Sequence, residues 1–83
     1  MSDKILRFSA SWCQPCKMLA KTLEGEDLGV PVEVVDIDEK SDVAMQFGIR
    51  GVPTLVYIKD DKEAGRLSGM QTIAALKEWI SKL

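Results

Sequence analysis

Trp12-Cys13-Gln14-Pro15-Cys16-Lys17 holds both cysteines of this chain, and the reading of that stretch decides what the residues around it must build. An apolar run precedes it and a helical pattern follows, so the two thiols fall where a strand passes into a helix. Two intervening residues let them close a small disulfide while the first stays near the helix N-terminus. Unpaired backbone N–H groups there stabilise a thiolate and lower its pKa. The same spacing also makes half of a zinc site, but a structural zinc site needs four ligands and the chain has two cysteines and no histidine. A metal or iron–sulfur reading therefore requires two chains to share their pairs. A purely structural disulfide closes too short a loop to gain much chain-entropy stabilisation.

Working outward, 83 residues make one small domain over 1–83, which buries roughly 60 to 65% of its unfolded surface and has room for one site. With 46% hydrophobic residues, 29% charged and a net charge of −2, the composition is that of a globular domain in water. Lys and Arg are scattered and do not interleave with aromatics, which argues against nucleic acid. No run approaches the roughly 20 apolar residues that span a bilayer, and Arg7 interrupts Ile5 to Ala10, so neither a membrane span nor a secretory signal is expected. The expected compartment is a reducing cytoplasm, where a cysteine pair is more plausibly catalytic than structural.

Lys4 to Ser9 reads as a buried strand and Gln14 to Leu23 as a helix, with Pro15 tolerated in its first turn and Pro15, Met18, Leu19, Thr22 and Leu23 on one side. Gly25, Gly29 and Pro31 mark a loop before a second buried strand, Val32 to Ile37. Ser41 is placed to cap a short helix that ends at Phe47 with Gly48 as its stop. Thr54 to Lys59 and Glu63 to Leu67 read as a hairpin turned by Asp60-Asp61-Lys62. A last helix starts at Thr72 and carries Ile73, Leu76, Ile80 and Leu83 as its apolar stripe, with Trp79 in its packing. The pattern is βαβ, a helical connection, then ββα. Strands one and two are expected parallel with a right-handed crossover, and three and four antiparallel.

Three motifs stand in order: Trp12-Cys13-Gln14-Pro15-Cys16-Lys17, Phe47-Gly48-Ile49-Arg50-Gly51-Val52-Pro53-Thr54, and Gly69 before the last helix. On these residues the chain resembles the thioredoxin family over nearly its whole length, without the extra N-terminal strand and helix. The resemblance implies an α/β minimal thioredoxin fold: a four-stranded mixed sheet of order 2-1-3-4, strand three antiparallel to strand one, flanked by about three helices. In size the chain is closer to glutaredoxins.

Disulfide exchange needs a thiolate that attacks the substrate disulfide and a second thiol that resolves the mixed disulfide. Cys13, at the helix start, is expected to be the exposed nucleophile, and Cys16, one turn inside, the shielded resolving thiol. The resemblance implies that Pro53 follows a cis peptide bond facing the cysteines, and that Val52 pairs its backbone with an extended substrate. Trp12, Gly51, Gly69 and Met70 would complete the platform for that substrate. Gln14 and Pro15 would tune the couple, Pro15 agreeing with the family and Gln14 standing where glycine is usual. Arg7 stands where the family keeps a buried Asp that assists proton movement at the resolving thiol, and Val34 stands for that Asp's lysine partner. Arg7 therefore either tunes the thiols by its charge or carries its head to solvent. Asp36, Asp38, Glu39 and Lys40 fall at a strand end and loop and read as solvated charge rather than a metal site.

The leading functional expectation is a protein-disulfide reductase with no bound cofactor, its Cys13–Cys16 disulfide reversibly recharged by a thioredoxin reductase-like flavoprotein that draws electrons from NADPH. Its substrates would be disulfide-containing proteins, ribonucleotide reductase among them, and the chain would act as a monomer. A glutathione-coupled glutaredoxin-like enzyme is the alternative, opposed by Trp12 and by the lack of a Gly-Gly-type glutathione site near Gly69-Met70. A non-catalytic thioredoxin-fold binding module is the third.

Overall fold

The computed structural model describes residues 3–83. Its elements run β1 (Lys4–Ser9), α1 (Gln14–Leu23), β2 (Val32–Asp36), α2 (Ser41–Gln46), β3 (Thr54–Lys59), β4 (Lys62–Ser68) and α3 (Ile73–Ser81). The sheet order is β2-β1-β3-β4, the order the resemblance implied. β1 and β2 are parallel, while β1 with β3 and β3 with β4 are antiparallel.

Strand alternation sorts the core into two layers. Leu6 and Phe8 of β1 meet Val35, Val56 and Ile58 on the side covered by α2, with Phe47 tilted against Phe8 at 5.7 Å between ring centroids. Ile5 turns to the other side, where it joins Leu55 and Tyr57 under Leu19 of α1 and Leu76 of α3. Leu19 and Leu76 lose all contact with water, and each such side chain contributes about 1.5 to 3 kcal/mol by leaving it. Trp79 packs edge-on against Tyr57 at 6.0 Å, in the last helix's packing as expected.

Several boundaries moved, each for a local reason. Helix α1 spans the expected residues, but its buried side is Cys16 and Leu19, and Met18 is 60% exposed. The helix faces the sheet through the second cysteine, which rotates Pro15 and Met18 outward. Ser41 begins α2 rather than capping it; Lys40 holds the cap position with no side-chain bond. Gly48 does stop that helix, at φ +64°, where a Cβ would be strained. Strand β2 ends at Asp36, whose Oδ1 accepts the N–H groups of Asp38 and Glu39 and turns the chain. The hairpin turn places Asp60 and Asp61 at φ 52° and 66°, conformations that Asp tolerates better than most residues, and β4 extends to Lys62–Ser68. Thr72 caps α3 through Oγ1, which accepts the Ala75 N–H at 3.1 Å.

Candidate active site

Cys13 ends the loop after β1 and occupies the N-cap of α1, and Cys16 lies one turn along. The two form a disulfide with their Cα atoms 5.3 Å apart. The Cys16 N–H donates to Cys13 Sγ at 3.2 Å, so an amide of the helix's first turn is aimed at the sulfur of the first cysteine. That is the electrostatic setting that favours a thiolate there. In the disulfide both residues are buried, Cys13 at 5% and Cys16 at 1% exposure, so the expected exposure of Cys13 does not hold in this state. Ile37 and Val52, packed on the pair together with Ala10, supply the cover.

The second motif arrives from the opposite side. Val52-Pro53 is cis, as the resemblance implied, and the Val52 carbonyl lies 3.7 Å from Cys13 Sγ. Sequence reasoning missed what holds this segment. Thr54, buried beneath it, donates its hydroxyl to the Gly51 carbonyl at 2.7 Å. The Pro53 carbonyl accepts the Gly69 N–H at 2.9 Å, fixing the Gly69-Met70 turn beside the proline. Arg66 of β4 donates from Nη2 to the Phe47 carbonyl at 2.8 Å while its guanidinium grips Glu63. That charge-assisted pair holds the Glu63 carboxyl below its usual range.

Trp12 is 65% exposed yet anchored: its indole N–H donates to Asp38 Oδ2 at 2.9 Å. Asp38 therefore does more than carry solvated charge, and Asp36 orders the loop that presents it. The sequence held no signal for this bond, because 26 positions separate its partners. Two hollows flank Gly51-Val52. One, about 270 Å³, runs between Trp12, Ile37 and Met45; the other, about 410 Å³, lies toward Arg50, Arg66 and Ser68. Met45, 80% exposed, is a lining residue that sequence reasoning had not singled out.

Arg7 points to the α1 side of the sheet, between Val34 and Leu55 in register. It is half-buried, and the lost hydration lowers its guanidinium pKa, although it stays charged. It makes none of the ion pairs found among the described residues, which join Lys4 to Glu33, Arg66 to Glu63 and Lys82 to Glu78. No group of three or more Cys, Asp or Glu among the described residues is placed to hold a metal ion. No described helix is long and apolar enough to cross a membrane.

The family profile described as Thioredoxin matches residues 1–82. The thioredoxin of Chlamydia muridarum is 40% identical over 81 residues, which cover 94% of this chain and 79% of that protein. That of Bacillus subtilis is 35% identical over 79 residues, covering 90% and 76%. Among solved structures, a mutant thioredoxin from Halobacterium salinarum has a TM-score of 0.89 at 36% identity, over 98% of this chain and 74% of that one. Fold, cysteine geometry and these likenesses agree: the chain belongs to the thioredoxin family and is a thiol-disulfide oxidoreductase acting through its Cys13–Cys16 pair.

Proposed function

We propose that the chain reduces protein disulfides with Cys13 as nucleophile and Cys16 as resolving thiol. The observation that carries the assignment is the Cys16 N–H donating to Cys13 Sγ at the start of α1, since among the described residues no such donor serves the Cys16 sulfur. In the dithiol state the Cys13 thiolate attacks one sulfur of the substrate disulfide, forming a mixed disulfide and expelling the other sulfur as a thiolate. Cys16, deprotonated, then attacks Cys13 Sγ, forms the Cys13–Cys16 disulfide and releases the second substrate thiol. Two electrons pass to the substrate. Water or the departing thiolate takes the Cys16 proton, because Arg7 offers no base where a carboxylate would.

An extended substrate segment would pair with the Val52 backbone, resting on Trp12, Gly51, Gly69 and Met70. Gln14 and Pro15 between the cysteines, Pro53 next to Val52, and Arg7, on the sheet beneath α1, would set the potential. The electrons would come from NADPH through a thioredoxin reductase-like flavoprotein, with ribonucleotide reductase among the substrates. The working unit would be a single domain over 1–83, a monomer at catalytic concentrations, in the cytoplasm. Glutathione coupling is the second reading, favoured by the hollow beside Val52 that Arg50 and Arg66 line, a setting suited to the carboxylates of a small anionic peptide. A binding module, the third, predicts that Cys13→Ser keeps the partner-dependent function.

The deciding measurement is the potential of the Cys13–Cys16 couple, with Cys16→Ser used to trap substrates on Cys13. A value near about −270 mV supports the flavoprotein-linked reductant, about −200 mV the glutathione-coupled enzyme, and about −120 mV an oxidant. Absence of a reversible two-electron transition, or trapping by Cys13→Ser in place of Cys16→Ser, overturns the assignment.

A further inference from the structure

The hollow of about 410 Å³ beside Val52 is lined by residues 48–54 on one side and by Arg66, Ser68 and Gly69 on the other. Two arginines line it and no acidic side chain does. Arg66 is held in place before any ligand arrives: Nε and Nη2 grip the Glu63 carboxylate, and Nη2 also reaches the Phe47 carbonyl. Glu63 offsets the charge of Arg66, so the excess positive charge of the hollow comes from Arg50. That side chain is exposed and joins none of the ion pairs among the described residues. The backbone adds to it, because the N–H groups of Arg50, Gly51 and Val52 donate to no backbone carbonyl among the described residues. Three consecutive donors beside two guanidinium groups suit an anion.

Position says which anion. The Val52 carbonyl lies 3.7 Å from Cys13 Sγ, so whatever fills the hollow sits beside the disulfide under attack. A substrate segment paired with Val52 is extended and rises about 3.3 Å per residue, which brings side chains up to two residues from its cysteine over the hollow. The Trp12 side has the opposite sign, with Asp36 and Asp38 ordering the loop that holds the indole. Arg50 borders both hollows, whereas Arg66 lines only the larger one. An acidic group is therefore drawn to the side away from Asp38. The chain's net charge of −2 gives acidic partners no general attraction, which makes a local cationic hollow selective.

We infer that this hollow is a carboxylate subsite for the disulfide substrate, in which Arg50 and Arg66 receive an acidic group flanking the sulfur that Cys13 attacks. The inference rests on the disulfide-reductase reading above and names the substrate class within it. The carboxylate belongs either to an Asp or Glu within two residues of the substrate cysteine or to glutathione held in a mixed disulfide, and the recognition chemistry is the same for both. The two arginines act on recognition, and the sulfur exchange itself is the one already described.

The test mixes the dithiol form of the full chain with symmetric peptide disulfides that carry Glu, Gln or Lys two residues to either side of the cysteine. The readout is the second-order rate of protein oxidation, divided by the rate of the same peptide with dithiothreitol to remove intrinsic reactivity. The Glu peptide should react about fivefold faster than the Gln peptide, the upper range for an exposed ion pair, and the Lys peptide slowest. The Glu-to-Gln ratio should shrink as salt rises from roughly 0.05 to 0.5 M. Arg50→Gln should bring it close to one, and Arg50→Lys should restore most of it. Arg50 is the chosen position because Arg66→Gln also loses the Glu63 and Phe47 bonds. A second arm compares the Gln peptide in mixed disulfide with glutathione or with glutathione diethyl ester. A preference abolished by Arg50→Gln in the first arm assigns the carboxylate to protein substrates, and one confined to the second arm assigns it to glutathione. Equal normalised rates in both arms, or a preference that survives Arg50→Gln, overturn the subsite alone. Failure of every disulfide to oxidise the dithiol protein overturns the reductase reading and the subsite with it.

Discussion

Apolar side chains reach water both at the redox corner and at the β2 edge, and the two are supported differently. At the corner, Trp12 is exposed but tied to Asp38, Gly51 is held by Thr54, and Gly69 is bonded to Pro53. Side-chain and loop hydrogen bonds from four segments fix a shaped surface around one sulfur. At the edge, Val32 and Val34 are exposed on a regular strand whose outward backbone groups have no partner from another strand among the described residues. Exposure backed by convergent bonds marks a place built for chemistry. Exposure backed by an open ladder marks a place where another strand can add.

Variants can break this contrast. The largest expected effect is from Cys13→Ser, which removes the nucleophile and should lower disulfide reduction at least about a thousandfold, while Val32→Lys at the edge leaves turnover alone. Insulin-disulfide reduction by the two variants checks it, and comparable losses would erase the distinction. Thr54→Val keeps the shape but deletes the bond to Gly51; the expected cost is about 0.5 to 1.5 kcal/mol of stability, with KM rising more than kcat falls, read by denaturant titration and steady-state kinetics. Asp38→Ala frees the Trp12 indole at a more exposed bond. Stability should fall by at most about 1 kcal/mol and the indole fluorescence should change, whereas an unchanged spectrum would mean that packing alone holds the ring.

The smallest effect sharpens the role of Arg7, which lies on the sheet between the two regions. If its positive charge favours thiolates, Arg7→Met raises the Cys13 pKa. The sign is fixed: losing a cation destabilises the charged form, so the rate-versus-pH curve for reaction with an alkylating reagent shifts to higher pH. An unmoved curve assigns Arg7 to solvent contact alone.

The sequence was most legible where a short-range rule had no competitor. The spans of β1, α1 and β3 follow from apolar runs and Pro15, and Gly48 stops α2 because its backbone needs a positive φ. The cysteine pair and the Val52-Pro53 bond were readable because each is written in consecutive residues. Legibility failed where distant segments compete. Which side of α1 is buried depended on how the helix lies on the sheet, so Met18 was placed inward and is exposed. Cys13 was expected exposed because a nucleophile must be reached, but Val52 and Ile37 cover the disulfide from other segments.

By itself the sequence determined the chemistry, because two thiols two residues apart at a helix start need only local geometry. Only the tertiary structure decided what surrounds that chemistry. The Trp12–Asp38 bond, the Thr54 tie beneath Gly51 and the undefended β2 edge each join or leave open segments that are distant in sequence, and no local periodicity encodes which backbone groups a sheet will leave without a partner.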